Sequence, residues 1–233
     1  MIAYIPARGG SKRIPYKNIK LLKNKPVIGH VIEKLKTLDF ISNVCVSTDD
    51  PKIQDIAKSF GAMTLSIRSK ELSNDAADLT DLYHHDIPRF SEANNLDREI
   101  LLVLATAALV PIEIYYDAYS VYLKDKPELL MSCMEFPVSP FWMMTQKDDG
   151  YWKLMFPEKI KFNSQDLPKT LVDAGQFWFF NLDTIQKYDD LKLVDRLQPF
   201  TVDSRFCVDV DTEEDWNMLE MKYDFLLKKV KKV

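Results

Sequence analysis

The sequence contains few cysteine, histidine and glycine residues. Its three cysteines are an odd number, widely separated and without a C-x-x-C pair, so neither a disulfide framework nor a structural zinc site is expected. Three histidines in 233 residues give little support to a histidine-rich metal centre. Glycine occurs only six times, so a pair of adjacent glycines near the N-terminus stands out.

Long apolar runs and excess positive charge are missing as well. No segment reaches the roughly 18 consecutive apolar residues that a membrane helix needs. The N-terminal residues lack the basic, apolar and small-residue regions of a secretory signal. The net charge of −4 excludes a broadly basic nucleic-acid-binding surface. We therefore expect a cytoplasmic protein that associates with neither nucleic acid nor membranes.

The chain alternates between short apolar runs and helical patterns. Residues 2–5 and 44–47 are predicted strands, and each precedes a predicted helix, at 27–38 and 51–60. Further strands are predicted at 100–104, 129–136 and 176–180, and further helices at 78–94, 111–124 and 211–229. This order predicts an α/β fold with a mostly parallel sheet covered by helices on both faces.

Residues 137–172 interrupt this alternation with prolines, aromatic side chains and an Asp-Asp-Gly turn at 148–150, which predicts a hairpin. The stretch is too short for a core of its own, and exposed aromatic side chains are costly unless they are covered. We therefore interpret residues 1–233 as a single domain with an inserted dimerisation arm that packs on a second subunit. A hairpin folded onto its own domain is the alternative.

The most informative stretch is residues 6–18, P-A-R-G-G-S-K-R-I-P-Y-K-N, which follows the first predicted strand. Two of the six glycines lie here, together with the four cations Arg8, Lys12, Arg13 and Lys17. Paired glycines let the backbone approach an anion, and open α/β sheets bind ligands at the carboxyl ends of their strands. The spacing is neither Walker A nor G-x-G-x-x-G. We interpret the loop as a polyphosphate cradle, with a solvated basic turn as the alternative.

A pair of carboxylates near the C-terminus is the second candidate site. Asp209 and Asp211 are separated by one residue, so on an extended segment both side chains lie on one face, about 7 Å apart at the backbone. Mg²⁺ is usually held by one or two carboxylates together with phosphate oxygens and water. The pair predicts a magnesium site. The alternative is a solvated strand end before a helix that Thr212 and Asp215 cap.

In these residues the chain resembles the cytidylyltransferases that activate sialic acids, the CMP-N-acetylneuraminate synthetase family. The opening I-P-A-R-G-G-S-K-R-I-P is that family's signature. The matches V-S-T-D-D at 46–50 and D-V-D-T-E-E-D at 209–215 extend the resemblance over almost the whole chain. The segments S-Q-D-L-P at 164–168 and D-A-G-Q-F-W at 173–178 look most like the pseudaminic acid branch.

The resemblance implies a Rossmann-like, GT-A-like nucleotidyltransferase built as a three-layer sandwich. It implies transfer of CMP from CTP to a nine-carbon 2-keto sugar acid, with Mg²⁺ as cofactor and pyrophosphate as product. It also implies a homodimer whose arm reaches the neighbouring subunit's sugar pocket. Pseudaminic acid is the implied acceptor. N-acetylneuraminic, legionaminic and deoxyoctulosonic acids remain alternatives, as does a CTP-binding homologue without catalysis.

Roles of the family's residues carry over to the matching positions. Catalytic roles are implied for Arg8, Lys17 and Asp211, and metal coordination for Asp209 and Asp211. Nucleotide contacts are implied for Ala7, Arg8, Gly9, Gly10, Ser11, Lys12, Lys17, Asn18, Arg68 and Asp75. Sugar contacts are implied for Thr106, Gln165, Asp166, Asp173 and Gln176. For the last four of these, turn and sheet-edge positions are an equally open interpretation.

Overall fold

The structure is a computed structural model that describes residues 1–64, 67–69, 72, 82–94, 96–136, 138–185 and 187–230. Its strands are β1 (Ile2–Pro6), β2 (Leu21–Leu22), β3 (Lys25–Pro26), β4 (Asn43–Ser47), β5 (Met63–Thr64), β6 (Glu99–Val103), β7 (Leu129–Glu135), β8 (Met144–Gln146), β9 (Trp152–Leu154), β10 (Leu171–Asn181) and β11 (Leu197–Thr201). Its α-helices are α1 (Val27–Leu35), α2 (Pro51–Ser59), α3 (Ile87–Asn94), α4 (Ile112–Asp125), α5 (Leu182–Ile185) and α6 (Glu213–Val230).

Seven strands form the central sheet, in the order β11-β7-β10-β6-β1-β4-β5. Strand β10 runs antiparallel to both of its neighbours, and the other pairs are parallel. The predicted mostly parallel sheet is therefore confirmed. Strand β11 was not predicted, because its sequence L-Q-P-F-T contains a proline, which a sheet tolerates only at an edge such as the one β11 occupies.

Helices cover both faces of the sheet. Ala3 and Ile5 of β1 point into a core that α1, α2, α4 and α6 cover, whereas Ile2 and Tyr4 point into a second core closed by α3. Alternation of side chains along a strand produces this division, since neighbouring residues face opposite sides. Burying each large apolar side chain contributes about 1.5–3 kcal/mol. The three-layer architecture expected from the sequence is confirmed.

The inserted segment contains the predicted hairpin. Strands β8 and β9 pair antiparallel in a two-stranded sheet separate from the central one, and Gly150 in the connecting turn has a φ of 85°. Phe141 and Phe156 pack edge to face, with ring centroids 5.5 Å apart. Tyr151 and Trp152 remain 72% and 63% exposed. The hairpin thus leaves large aromatic surface uncovered in a single chain.

The predicted helix boundaries differ from the observed ones by one or two residues in several helices and by more than that in two places. Helix α1 ends at Leu35 rather than at residue 38. Residues 82–86 form a π-helical turn that continues into α3, and the first residues of the helix predicted from 78 lie outside the described part of the chain. Among the helices that the structure describes, none is both long and apolar enough to cross a bilayer.

Candidate active site

The cationic loop starts at the carboxyl edge of the sheet, where β1 and β4 end side by side. The Ala7 N–H donates to the Ser47 carbonyl (2.9 Å), which extends the β1–β4 ladder by one bond. The Gly9 N–H then donates to Asp49 Oδ1 (2.8 Å). The Asp50 carboxylate caps α2 by accepting its first free backbone N–H groups. The end of β4 therefore holds both the loop and the next helix.

The two glycines of the loop have different surroundings. A Cβ atom at Gly9 would lie 2.7 Å from the Asp50 Cβ, closer than real carbon atoms approach, whereas at Gly10 it would meet nothing within 4 Å. Gly9 is thus required because its backbone packs closely against the Asp50 side chain. Gly10 lies exposed on the loop, where its backbone can meet a ligand.

Asn18 and Ser11 form hydrogen bonds within the loop that stabilise its turn. Asn18 is buried, and its Nδ2 donates to the Arg8 carbonyl (2.9 Å). The Ser11 N–H donates to the Gly9 carbonyl (3.0 Å). These bonds fix the turn that presents Arg8 and Lys12 at the sheet edge. The nucleotide contacts assigned to these residues stay predictions.

Lys17 joins the cationic loop to the acidic pair at the other end of the chain. Its Nζ donates to the Val210 carbonyl (2.5 Å) and lies 3.3 Å from Asp211 Oδ1. Arg13, for which the sequence indicated no separate role, approaches the other oxygen of Asp211 at 2.9 Å. Partial burial and then the negative charge of Asp211 raise the pKa of Asp209, and the Lys17 ammonium opposes this shift. The structure thus brings the two predicted sites together.

The predicted helix cap is present beside the acidic pair and does not use it. Asp215 Oδ2 accepts the N–H groups of Asp211 (3.0 Å) and Thr212 (2.8 Å), and Thr212 Oγ1 accepts the Asp215 N–H (3.3 Å). Capping therefore uses the carboxylate of neither Asp209 nor Asp211, and the Asp211 carboxylate is paired with Lys17 and Arg13. Within the described residues no group of three or more potential metal-ligating side chains occurs. Two carboxylates fit Mg²⁺, which takes its remaining ligands from phosphate and water.

Strand β10 brings Asp173 close to the acidic pair. Its register with β7 shifts between Asp173 and Trp178, as in a β-bulge, and Gly175 within the shift has a φ of 60°. A Cβ atom at Gly175 would lie 3.5 Å from the Asp209 carboxyl carbon. Asp173 Oδ1 accepts the Gly175 N–H (2.9 Å), and Oδ2 pairs with Lys192 Nζ (2.6 Å). Lys192 was not identified from the sequence.

Gln176 holds the irregular part of β10 from inside the protein. Its side chain is buried, and Nε2 donates to the carbonyls of Ala174 (2.7 Å), Gly175 (3.0 Å) and Val208 (3.2 Å). The last bond ties β10 to the residue before Asp209. Gln176 therefore positions the acidic segment in this structure, and its contact with a sugar stays a prediction.

The buried carboxylate of Asp86 supports the end of β4 from the face of the sheet that α3 covers. Asp86 accepts hydrogen bonds from Tyr4 and Ser47, and Arg89 Nη2 lies 3.3 Å away. Burial and the neighbouring Asp86 charge raise the pKa of Tyr4 well above its usual value. Arg68, which is buried, donates its N–H to the Thr48 carbonyl (2.8 Å) just beyond Ser47. The predicted nucleotide residue Arg68 is thus anchored at the same sheet edge.

The remaining predicted site residues lie further from the acidic pair or outside the described residues. Thr106 is buried in the loop after β6, where Lys34 Nζ donates to the carbonyls of Ala108 and Val110. Gln165 and Asp166 are exposed in the insertion, and Gln165 lines a cavity of about 440 Å³ near the end of β7. Asp75 lies outside the described residues.

Comparison with known proteins identifies the family. A family model described as cytidylyltransferase matches residues 2–127. The chain is 31% identical to the pseudaminic acid cytidylyltransferase of Campylobacter jejuni over 225 residues, 95% of each chain. It is 30% identical to the CMP-N,N'-diacetyllegionaminic acid synthase of Legionella pneumophila over 158 residues, 68% of this chain and 67% of that one. A solved CMP:2-keto-3-deoxy-manno-octonic acid synthetase, complexed with CTP, matches with a TM-score of 0.67 at 19% identity and covers 94% of this chain and 96% of its own. As its opening motif predicted, the chain belongs to the cytidylyltransferase family.

Proposed function

We propose that this protein transfers CMP from CTP to the anomeric hydroxyl of a nonulosonic acid, with pseudaminic acid as the acceptor and pyrophosphate as the second product. The observation that carries the proposal is the contact of Lys17 with Asp211, which joins the cationic loop to the acidic pair. The 31% identity to a pseudaminic acid cytidylyltransferase supports the choice of acceptor. An enzyme that consumes CTP and a sugar acid is expected to work in the cytoplasm.

The reaction is a direct displacement at the α-phosphorus. The acceptor oxygen forms a bond to that phosphorus, the bond to the bridging oxygen of pyrophosphate breaks, and the hydroxyl proton leaves to solvent. Arg8 and Lys17 neutralise the charge that develops on the departing pyrophosphate. Asp209 and Asp211 would hold Mg²⁺, which when bound supplies further charge neutralisation and lowers the pKa of the acceptor hydroxyl. The loop, fixed to Asp49 through Gly9, keeps the phosphates aligned for attack.

A substrate panel tests this function. Pyrophosphate release from CTP is measured with pseudaminic, legionaminic, N-acetylneuraminic and deoxyoctulosonic acids in turn. We expect the highest kcat/KM with pseudaminic acid, by at least about tenfold, which corresponds to about 1.4 kcal/mol of discrimination. A higher value with another acid contradicts the choice of acceptor. Thermal stabilisation by CTP without turnover of any acid would identify a non-catalytic homologue instead.

The exposed aromatic surface of the hairpin supports a homodimer. Trp152 and Tyr151 lie in the inserted segment, and a patch of this kind is covered in most soluble proteins. We expect the double substitution Tyr151→Ser with Trp152→Ser to shift the protein from dimer to monomer at micromolar concentration, measured by sedimentation velocity. Leu193→Ser is the matched control, because Leu193 is 73% exposed but lies outside the arm. A monomeric wild-type protein, or a dimer unaffected by the double substitution, would contradict the proposal.

A further inference from the structure

The segment between α5 and β11 places a cation beside Asp173, one of the predicted sugar contacts. Lys192 lies in the 3-10 turn Leu191–Leu193, where its N–H donates to Asp190 Oδ1 (2.8 Å). The buried side chains of Leu191 and Val194 anchor this turn to the sheet. The backbone of Lys192 is thus fixed, while its side chain is 48% exposed and able to reach a ligand.

The partner of Lys192 connects it with the acidic pair. Lys192 Nζ lies 2.6 Å from Asp173 Oδ2, and the other oxygen of Asp173 accepts the Gly175 N–H. A Cβ atom at Gly175 would lie in ordinary contact with the Asp209 carboxyl group, at 3.5 Å from its carbon. Asp173 also adds to the negative potential at Asp209. Lys192 and Lys17 therefore pair with two different carboxylates, Asp173 and Asp211, that both act on Asp209.

The carboxylate of a 2-keto sugar acid requires a cation close to the reacting hydroxyl. In a 2-keto sugar acid the carboxylate is attached to the anomeric carbon that also carries the attacking hydroxyl. When this hydroxyl approaches the α-phosphate, the carboxylate enters a region that already contains the triphosphate and the acidic side chains. An unpaired carboxylate there is unfavourable. Lys17 and Arg13 pair with Asp211, a predicted metal ligand, whereas Lys192 pairs with Asp173, a predicted sugar contact.

We propose that Lys192 binds the carboxylate of the acceptor sugar acid and that Asp173 holds the ammonium group in place. The inference rests on the proposed function, because it assigns a partner to the acceptor of that reaction. The ion pair alone does not require this role, since half-exposed pairs contribute little to stability. A purely structural pair, however, predicts equal effects of substitution on both substrates, whereas carboxylate binding predicts an effect on the acceptor alone.

Steady-state kinetics of Lys192→Gln separate these two outcomes. We expect KM for the sugar acid to rise by about ten- to a hundredfold, as for loss of a charge-assisted hydrogen bond, with KM for CTP unchanged. Lys192→Arg should keep most of the affinity. Lys187→Gln removes the same charge from an exposed residue of the same segment and should leave both constants at their wild-type values.

Inhibition by the C1 amide of the sugar acid provides a readout that a structural role would not change. For the wild-type enzyme we expect the Ki of the amide to exceed KM of the acid by at least tenfold, and for Lys192→Gln we expect the two values to converge. A Lys192→Gln enzyme with wild-type acceptor KM, or with undiminished preference for the acid, overturns the inference. If the wild-type protein releases no pyrophosphate with any of the acids, that result would instead contradict the proposed function.

Discussion

Asp211→Asn is expected to lower kcat for CMP-sugar formation by about a hundred- to a thousandfold. The carboxylate has two tasks in the structure. It holds Lys17 Nζ at 3.3 Å and Arg13 Nη2 at 2.9 Å, so it fixes the cations of the loop. It also presents oxygen beside Asp209 where a divalent cation would bind. Asparagine preserves the shape of the side chain but removes the charge on which both tasks depend.

Turnover measured at saturating CTP and acceptor over a range of Mg²⁺ concentrations tests this expectation. The variant should stay slow at every concentration, because asparagine lacks a charged ligand. Its melting temperature should change little, since ion pairs this exposed contribute about 1 kcal/mol or less. Glu214→Gln, in the exposed first turn of α6, removes a nearby charge and serves as control. A folded Asp211→Asn enzyme with near-wild-type kcat would exclude the metal-binding role.

Local sequence signals predicted the parts of the structure that local interactions determine. The apolar run of β1 and the glycines and cations after it occur where expected, because strand alternation and turn chemistry act over a few residues. The reciprocal cap of Thr212 and Asp215 is another short-range pattern. The contact of Lys17 with Asp211 spans 194 residues, and no spacing rule indicates it. Only the family resemblance implied that these residues act on one substrate.

The central strand β10 shows why strand direction and the irregular backbone beside Asp209 could not be predicted from the sequence. Its residues 176–180 are all buried, since β10 lies between β7 and β6 with both faces covered. A uniformly apolar run indicates a strand but not its direction. The irregularity that brings Gly175 to Asp209 depends on Ser132 of β7, whose Oγ accepts the N–H groups of Gln176 (3.3 Å) and Phe177 (3.0 Å). The hydrogen bonds of Gln176 inside the protein depend on this irregularity and were not predicted, and its contact with a sugar stays a prediction.

Gly9→Ala is expected to weaken CTP binding by about a hundredfold, the effect of displacing a positioned group by about 1 Å. The new Cβ would lie 2.7 Å from Asp50 Cβ and 2.8 Å from Asp50 Oδ2. Asp50 cannot move away easily, because its carboxylate accepts the N–H groups of Lys52 and Ile53 at the start of α2. The loop must shift instead, and the hydrogen bond from Gly9 to Asp49 is lost.

Calorimetric titration with CTP and thermal unfolding measure the two consequences separately. Overpacking of about 1–3 kcal/mol should lower the melting temperature by roughly 2–12 °C in a chain of this length. Gly10→Ala makes the same chemical change one residue further on, where nothing lies within 4 Å, so its melting temperature should stay within about 1 °C of the wild type. Equal melting temperatures and CTP affinities for Gly9→Ala and wild type would mean that the loop is not packed against Asp50. The cradle would then lack part of the rigidity that in-line transfer requires, because the bond from Gly9 to Asp49 is one of those that fix its backbone at the sheet edge.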